Sequence, residues 1–336
     1  LLLLRGPSCI PGSRCIIRDA MTSSRFSPAL LQRVSEETAF EFEHAYLERE
    51  LLTWFPRANP APSATYRWLG SQHALAVRLQ QGPSCGLVAM RMAAEFLAAT
   101  PRSSSSSSSS TSLLEAAVAA GYSKLGEMFS AAQLAALGMQ YYRGIECLVA
   151  PLRPRALLDA LLAGALVLVT YDAAGNHEPY LGGGRNAHWA LVKGVIVPDE
   201  AADANADDAQ EASDAASSVP RVTVTHSFDS ARLGRAIERA ELRHYLDAER
   251  LWEALASDAA AQSPSASGAS EQLYIVAQHG KSKRQCIWSF RQLYCSSWNL
   301  ERVDPARASE WLVAPTLEAL RGKMVVVRPS SDRSID

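Results

Sequence analysis

Residues 80–90 read QQGPSCGLVAM, and this stretch decides the predicted fold. Gly82 and Pro83 mark a tight turn, after which Cys85 stands at the start of an apolar run that predicts a helix. A thiol at that position lies among unpaired backbone N–H groups, at the positive end of the helix dipole. Both features favour the thiolate over the thiol, so the stretch predicts a reactive cysteine.

A histidine stands later in the chain, in a different predicted element. His188 opens the apolar run 188–197, which predicts a strand. A cysteine that starts a helix, followed by a histidine on a strand, gives the order and context of a papain-type thiol hydrolase. Taken singly, Cys85 also fits a small buried hydrophobe and His188 a hydrogen-bonded, half-buried residue. Together with two upstream glutamines, the pair favours the catalytic interpretation.

Attack by a thiolate needs a base and donors for the oxyanion. We predict Cys85 as the nucleophile and His188 as the base, which pairs with the thiol and later protonates the leaving amine. The backbone N–H of Cys85 and the side chain of Gln81 are predicted to line the oxyanion hole. Gln80 is the alternative, because the turn at Pro83 leaves open which glutamine points inward.

The remaining histidines receive other roles. His177 competes with His188 for the role of base, but it lies in a polar loop, and a base needs a rigid strand to fix it. We therefore expect His177 to order that loop or to touch substrate. Three further histidines are expected to be surface or structural residues: His226, His244 and His279.

A third group usually orients the histidine of such enzymes. We expect it at the end of the strand that neighbours the histidine strand. The predicted strand 273–277 ends before Gln278, which is our candidate. Gln278 also fits an ordinary turn residue before Gly280, and Asp199 is a further candidate within reach in sequence.

The composition is that of a globular protein without an obvious charged partner. The apolar fraction is 48% and the net charge is −2, so we expect neither nucleic acid nor a membrane surface as partner. The six cysteines show no Cys-x-x-Cys pair, so we expect no metal site, no cofactor and a reducing compartment. The apolar stretch 157–171 contains Asp159 and Gly164 and reads better as helix, turn and strand than as a membrane span. We expect a cytoplasmic protein.

The pattern of elements predicts an α+β fold in which a helical lobe packs against an antiparallel sheet lobe. Helices are predicted at 28–55, 85–97, 113–120, 154–163 and 232–260, and one is predicted to begin after Ser130, which forms a capping box with Gln133. Strands are predicted at 165–171, 188–197, 221–225, 273–277, 311–314 and 324–327, and near 286–288.

The chain is predicted to hold one catalytic domain with low-complexity insertions. Residues 1–65 are expected to form a partly disordered extension with one helix, residues 66–328 the peptidase domain, and residues 329–336 a tail. Disordered insertions are expected near 102–112, 199–219 and 261–270. The opening LLLLR is too short for a signal-peptide core, and Met21 is a plausible start of translation.

Several blocks of the chain, in this order, resemble the actin maturation protease family, cysteine peptidases with a papain-like fold that are related to bacteriocin-processing peptidases. The resemblance spans about residues 75–328. The matching blocks are LQQGPSCGLVA at 79–89, GEMFS at 126–130, YD at 171–172, NHEP at 176–179, AHWA at 187–190, QHGKS at 278–282 and SWNL at 297–300.

The resemblance implies removal of the N-terminally acetylated residue from immature actin, with Cys85 as nucleophile and His188 as base. It implies actin as a partner. Animal members carry a proline-rich N-terminus thought to engage profilin; no such run precedes Cys85 here, so profilin-bound actin stays an open expectation. Two alternatives remain: a papain-like peptidase or transpeptidase acting on another substrate, and a catalytically silent homologue that binds actin.

Overall fold

The computed structural model describes residues 65–73, 75–102, 112–198, 221–226 and 273–330. Its helices are α1 Cys85–Phe96, α2 Leu113–Ala119, α3 Ala131–Tyr141, α4 Pro154–Leu162, α5 Phe290–Trp298 and α6 Pro305–Ala308. Its strands are β1 Thr65–Gln72, β2 Thr100–Pro101, β3 Tyr142–Arg143, β4 Ile145–Pro151, β5 Leu166–Asp172, β6 Ala187–Pro198, β7 Arg221–His226, β8 Tyr274–Gln278, β9 Cys286–Ser289 and β10 Lys323–Pro329. The predicted α+β class is confirmed.

One large sheet organises the fold, and β6 is its central strand. The eight-stranded sheet runs in the order β4-β10-β5-β6-β1-β7, and β8 joins β6 to β9. All pairs are antiparallel except β1 with β7. The first half of β6 pairs with β5 and its second half with β1. Because each edge of a strand takes one neighbour at a time, β8 lies along the opposite edge of β6.

The alternation of side chains along β5 and β6 separates two hydrophobic cores. Leu168 and Leu191 belong to a cluster that also contains Cys85 and residues of α1 and α3. Val169 and Ala190 belong to the second cluster, which contains residues of α4 and α5. Both faces of the central strands are therefore buried, which fixes their register and with it the position of the first residues of β6.

All but one of the elements predicted within the described ranges are confirmed, and six observed elements were not predicted: β1, β2, β3, β4, α5 and α6. The strand predicted at 311–314 is wrong: this segment is irregular, and the N–H of Leu312 donates to the carboxylate of Glu127 instead of to a strand. Helix α5 was not predicted; it begins after Ser289, whose side chain accepts a hydrogen bond from the Gln292 N–H. Ser130 caps α3, as predicted, by accepting from Gln133 N–H.

Several predictions fall on residues that the structure does not describe. The extension 1–64, the predicted helices 28–55 and 232–260, the tail after 330 and nearly all of the three predicted insertions lie outside the described residues. The domain boundaries therefore stay a prediction. Among the helices of the described ranges, none has both the length and the apolar character that crossing a bilayer would require.

Candidate active site

Cys85 is the first residue of α1, and its side chain is buried against the start of β6. The residue is 8% exposed, and the backbone N–H groups of Trp189 and Gly86 lie close enough to its sulfur to lower the pKa of the thiol. Trp189 directly follows His188 in β6, so the thiol meets the strand beside the predicted base. The helix and the strand that the sequence assigned to these two residues are thus neighbours.

Close approach of three segments holds this junction together. The indole N–H of Trp189 donates to the backbone carbonyl of Met128 at 2.8 Å. A Cβ added at Gly86 would lie 3.0 Å from Cδ1 of Trp189, so a larger residue would push the helix start off the strand. Gly126 has a φ of +114°, and a Cβ there would lie 3.0 Å from Cβ of Ser84. The block at 126–130 therefore supports the cysteine turn.

The electrostatics of Cys85 differ from the sequence-based expectation. Burial raises the pKa of the Cys85 thiol above its ordinary value. The N–H donors at Trp189 and Gly86 and the positive charge of Lys281 act in the opposite direction, without cancelling the effect of burial. The helix start alone predicted a thiolate; the enclosed position of the sulfur favours the neutral thiol in the resting site.

His188 is also buried and neutral. Burial is the main reason that its pKa falls to about 3. Three neighbours act in the same direction: His279, Lys281 and His177. The Nε2 atom of His188 is buried, and no hydrogen-bond partner for it exists among the described residues. Burial therefore favours the neutral imidazole at His188, as it favours the neutral thiol at Cys85.

Three histidines and a tyrosine form a cluster at the start of β6. The ring centroid of His188 lies 5.7 Å from that of Tyr171, 6.4 Å from that of His177 and 6.1 Å from that of His279. His177 has a φ of +65°, and its carbonyl accepts a hydrogen bond from the Tyr171 hydroxyl. His177 is thus held in its loop beside the site. No group of three or more His, Cys, Asp or Glu side chains within the described ranges is arranged to hold a metal ion.

The position of His279 was not anticipated. The residue is 1% exposed, so of the two expected roles, surface or structural, the surface position is wrong; its ring centroid lies 5.0 Å from that of His177 and 6.1 Å from that of His188. Its Nδ1 accepts the backbone N–H of Lys281 at 3.1 Å, which places the proton of the neutral ring on Nε2. Burial is the first cause that lowers the pKa of His279 to about 4. The available signal was its place at the end of the strand next to β6.

The two glutamines occupy different environments. Gln81 is exposed, and its carbonyl accepts a hydrogen bond from the Ser84 hydroxyl. Gln80 is half-buried, and its Oε1 is fully enclosed, without a hydrogen-bond partner among the described residues. Its Nε2 donates to the Gly82 carbonyl at 2.7 Å. Burial therefore favours Gln80, the alternative, over the predicted Gln81 as the glutamine that faces the site.

Gln278 is committed to the turn that follows β8. Its Nε2 donates to the carbonyls of His279, Ser282 and Arg284 at 3.2, 2.8 and 3.3 Å. Gln278 pairs with Leu191 across the sheet, so their side chains share one face. Leu191 lies an odd number of positions after His188 in β6, so the side chains of Gln278 and His188 lie on opposite faces of the sheet. This geometry fits the turn residue that we considered as the alternative. Asp199 lies outside the described residues.

Asp172 is a second residue that the sequence did not assign to the site. It ends β5 opposite Ala187, and its carboxylate accepts the N–H groups of Gly184 and Asn186 at 2.7 and 2.8 Å. Burial raises the pKa of this carboxyl although the backbone donors oppose the rise. These bonds fix the loop that leads into His188. Its signal was its place at the end of a strand paired with the histidine strand.

Glu127 stabilises the segment 123–127, which contacts Ser84 in the turn before Cys85. Its carboxylate accepts hydrogen bonds from the Ser123 hydroxyl and from three backbone N–H groups, those of Lys124, Leu125 and Leu312. Burial pushes the pKa of Glu127 upward, but these donors outweigh it, so the net shift is downward. The negative charge of Glu127 is therefore part of the folded structure.

Replacing Glu127 with Gln is expected to lower the free energy of unfolding by about 2–3 kcal/mol at neutral pH, because an amide cannot accept at both oxygens. A lowered pKa stabilises the fold fully above the ordinary Glu pKa of about 4.3 and loses that contribution as the pH falls through the folded value. The gap between wild type and variant in urea unfolding should therefore shrink below about pH 4. Glu146→Gln, at an exposed pair with Arg328, should cost under about 1 kcal/mol at every pH; an equal cost for both variants would refute the assignment.

Comparison with known proteins places these residues in a described family. Residues 75–196, which contain Cys85 and His188, match the family model "Actin maturation protease-like, C-terminal domain". The chain is 30% identical over 264 residues to the actin maturation protease of Mus musculus, covering 75% of this chain and 61% of that one. It is 26% identical over 285 residues to that of Danio rerio, covering 81% and 78%. The Drosophila melanogaster protein is 37% identical over 122 residues, or 35% and 42% of the two chains. No solved structure gives a significant match.

Proposed function

Because the chain belongs to the actin maturation protease family, we propose that it is a papain-like cysteine peptidase that removes the N-terminally acetylated residue from immature actin. One observation carries the proposal: Cys85, at the start of α1, is buried in the same cluster as Trp189, the residue that follows His188 in β6, and the N–H of Trp189 lies close enough to lower the pKa of the thiol. Acyl transfer through a thioester needs a thiol and a base, and we propose that Cys85 on α1 and His188 on the neighbouring strand β6 supply them.

The reaction begins from the neutral pair. As the sulfur of Cys85 bonds to the carbonyl carbon of the acetylated residue, His188 takes the thiol proton. When the tetrahedral intermediate collapses, the C–N bond breaks and His188 passes that proton to the leaving amine, the new N-terminus of actin. Water then attacks the thioester with His188 as base, which releases the acetylated amino acid and restores the thiol.

The oxyanion is stabilised by donors at the start of α1. We propose the backbone N–H of Cys85 and the side-chain amide of Gln80, since Oε1 of Gln80 is enclosed whereas Gln81 is exposed. The buried Nε2 of His188 has no hydrogen-bond partner among the described residues, and in this mechanism it takes the thiol proton and passes it to the leaving amine. Gln278 keeps the role of a turn residue in this mechanism.

Basic side chains near the site suit an acidic substrate tail. Lys281, Lys283 and Arg284 are exposed on the turn after β8, and Arg185 is exposed on the loop before β6. The charge of Lys281 lowers the pKa of both Cys85 and His188, which places it near both. We propose that this basic surface attracts the acidic residues that follow the acetylated residue of actin.

Reversing two of these charges, Lys281→Glu with Arg284→Glu, is expected to raise KM for an acetylated acidic peptide about threefold to tenfold at low salt. The difference in KM between the variant and wild type should become smaller in high salt, because exposed charges are screened. Peptide kinetics followed by mass spectrometry give the value. Arg143→Glu with Arg153→Glu, two exposed positions on other elements, serves as the matched control. An unchanged KM, or an equal rise with a neutral peptide, would contradict the proposal.

The decisive test of function is mass spectrometry of immature, N-acetylated actin incubated with wild type and with Cys85→Ala. Loss of the acetylated residue with wild type alone establishes activity, substrate and nucleophile together. Intact actin combined with alkylation of Cys85 by iodoacetamide at alkaline pH favours a papain-like peptidase or transpeptidase with another substrate. Intact actin that binds the protein, without alkylation of Cys85, favours a catalytically silent binder.

A further inference from the structure

We infer that Gly280 is a positioning residue that sets the side chain of Gln80 for the oxyanion. The inference rests on the proposed function and extends it to a residue outside the nucleophile and base. Gly280 lies in the turn 278–284, which follows β8 and which we call the Gly280 turn. The turn contacts the cysteine loop on one side and the histidine cluster on the other.

Gly280 accepts a backbone hydrogen bond from Gln80, and its α-carbon lies so close to the Gln80 side chain that a Cβ would crowd it. The N–H of Gln80 donates to the Gly280 carbonyl at 2.7 Å. A Cβ added at Gly280 would lie 3.0 Å from Cβ of Gln80, 3.1 Å from its Oε1 and 3.2 Å from Cγ1 of Val88. Val88 belongs to the first turn of α1, so the carbonyl and the bare α-carbon of Gly280 are wedged between the glutamine and the cysteine helix.

The Gly280 turn is rigid enough to impose a position on Gln80. Gln278 cross-links it with three hydrogen bonds from one amide nitrogen. Within the turn, the N–H of Lys281 donates to Nδ1 of His279, whose buried ring packs against the cluster around His188. A methyl group at Gly280 could therefore be accommodated mainly by movement of Gln80 and not by movement of the turn.

The side chain of Gln80 is poised for a ligand. Its Oε1 is buried, and no hydrogen-bond partner exists for it among the described residues, which is costly for a polar atom. Its amide is attached through a terminal torsion with a broad, two-fold energy profile, so the group can turn and present Nε2 at the enclosed position in exchange for its hydrogen bond to the Gly82 carbonyl. An oxyanion is the acceptor that such a donor would stabilise. Displacing the amide by even part of an ångström should weaken that contact.

The test compares Gly280→Ala with Gln80→Ala and with the double variant. The first readout is kcat and KM for acetylated actin peptide; the second is the affinity for N-acetylmethioninal, an aldehyde that adds to a thiol as a tetrahedral hemithioacetal. We expect Gly280→Ala to lower kcat about 10–100-fold with KM nearly unchanged, and to weaken aldehyde binding similarly. The double variant should be no worse than Gln80→Ala, because Gly280 acts through Gln80.

Alkylation of Cys85 by iodoacetamide separates this role from a structural one, because alkylation forms no oxyanion. We expect the alkylation rate and the thermal unfolding temperature of Gly280→Ala to match those of wild type. Gly175→Ala is the matched control, since a Cβ at Gly175 meets nothing within 4 Å; it should retain full activity.

The inference would be overturned if the loss of kcat in the double variant equalled the product of the losses in the two single variants, or if Cys85 were alkylated more slowly in Gly280→Ala than in wild type. Either result would indicate that Gly280 acts through the fold or through His279. The two failures are distinguishable. If wild type leaves actin intact but binds the aldehyde, the proposed function falls while the aldehyde series still decides the role of Gly280. If wild type binds no aldehyde, both fall.

Discussion

Replacing Cys85 with serine is expected to lower kcat on N-acetylated actin by about 10⁴-fold or more, the scale seen when a nucleophile is removed from a hydrolase. The oxygen of serine is a far weaker nucleophile when the base is an imidazole with a pKa of about 3. The backbone N–H groups of Trp189 and Gly86, which lie near the sulfur of Cys85, would interact more weakly with the shorter side chain of serine. Peptide turnover measured by mass spectrometry gives the ratio.

Cys147→Ala is the matched control for this prediction. Cys147 is another buried thiol, and burial raises its pKa to about 12, so it is inert at neutral pH. Its replacement should alter stability but leave turnover per folded molecule near that of wild type. If Cys85→Ser kept more than about a tenth of the wild-type kcat, Cys85 would not be the nucleophile.

The raised pKa of Cys85 shows what a sequence can and cannot predict about a site. The turn, the helix start and the later histidine strand are local patterns, and the sequence located all three correctly. The burial of the sulfur depends on Trp189, Met128 and Gly126, which come together through tertiary packing. A thiolate was therefore predicted from the helix dipole, whereas the enclosure that opposes it has no local signal.

The same difference between local patterns and tertiary packing explains the other residues whose positions the sequence did not predict. The strand at 311–314 was predicted from apolar content, but its N–H at Leu312 serves a carboxylate distant in sequence. His279 was expected to be a surface or structural residue, and its burial follows from the pairing of β8 with β6. The choice between Gln80 and Gln81 could not be made from spacing, because it depends on the contact of one of them with Gly280.

His188→Asn is expected to lower kcat by about 10³-fold or more, because the proposed mechanism assigns both proton transfers to the His188 imidazole. His177 and His279 lie in the same cluster and are matched controls for loss of an imidazole. His177→Asn, in the loop, should cost under about tenfold. A loss for His177→Asn as large as that for His188→Asn would reassign the base.

The variant His279→Asn separates a positioning role from a merely structural one through its pH profile. His188 has its pKa lowered to about 3 first by burial and then by His279, so in wild type the base stays neutral well into the acid range. Removing His279 removes one cause of that lowering, and the pKa of His188 should rise. The acid limb of kcat/KM should therefore move to higher pH, with turnover near neutral pH reduced about tenfold or less.

A uniform loss of activity without displacement of the limb would show that His279 supports the fold alone, since a change in folded fraction scales the profile without shifting it. Activity that already falls between about pH 7 and pH 6 in wild type would show instead that His188 titrates near its ordinary value, and that the resting site holds the thiolate and imidazolium pair.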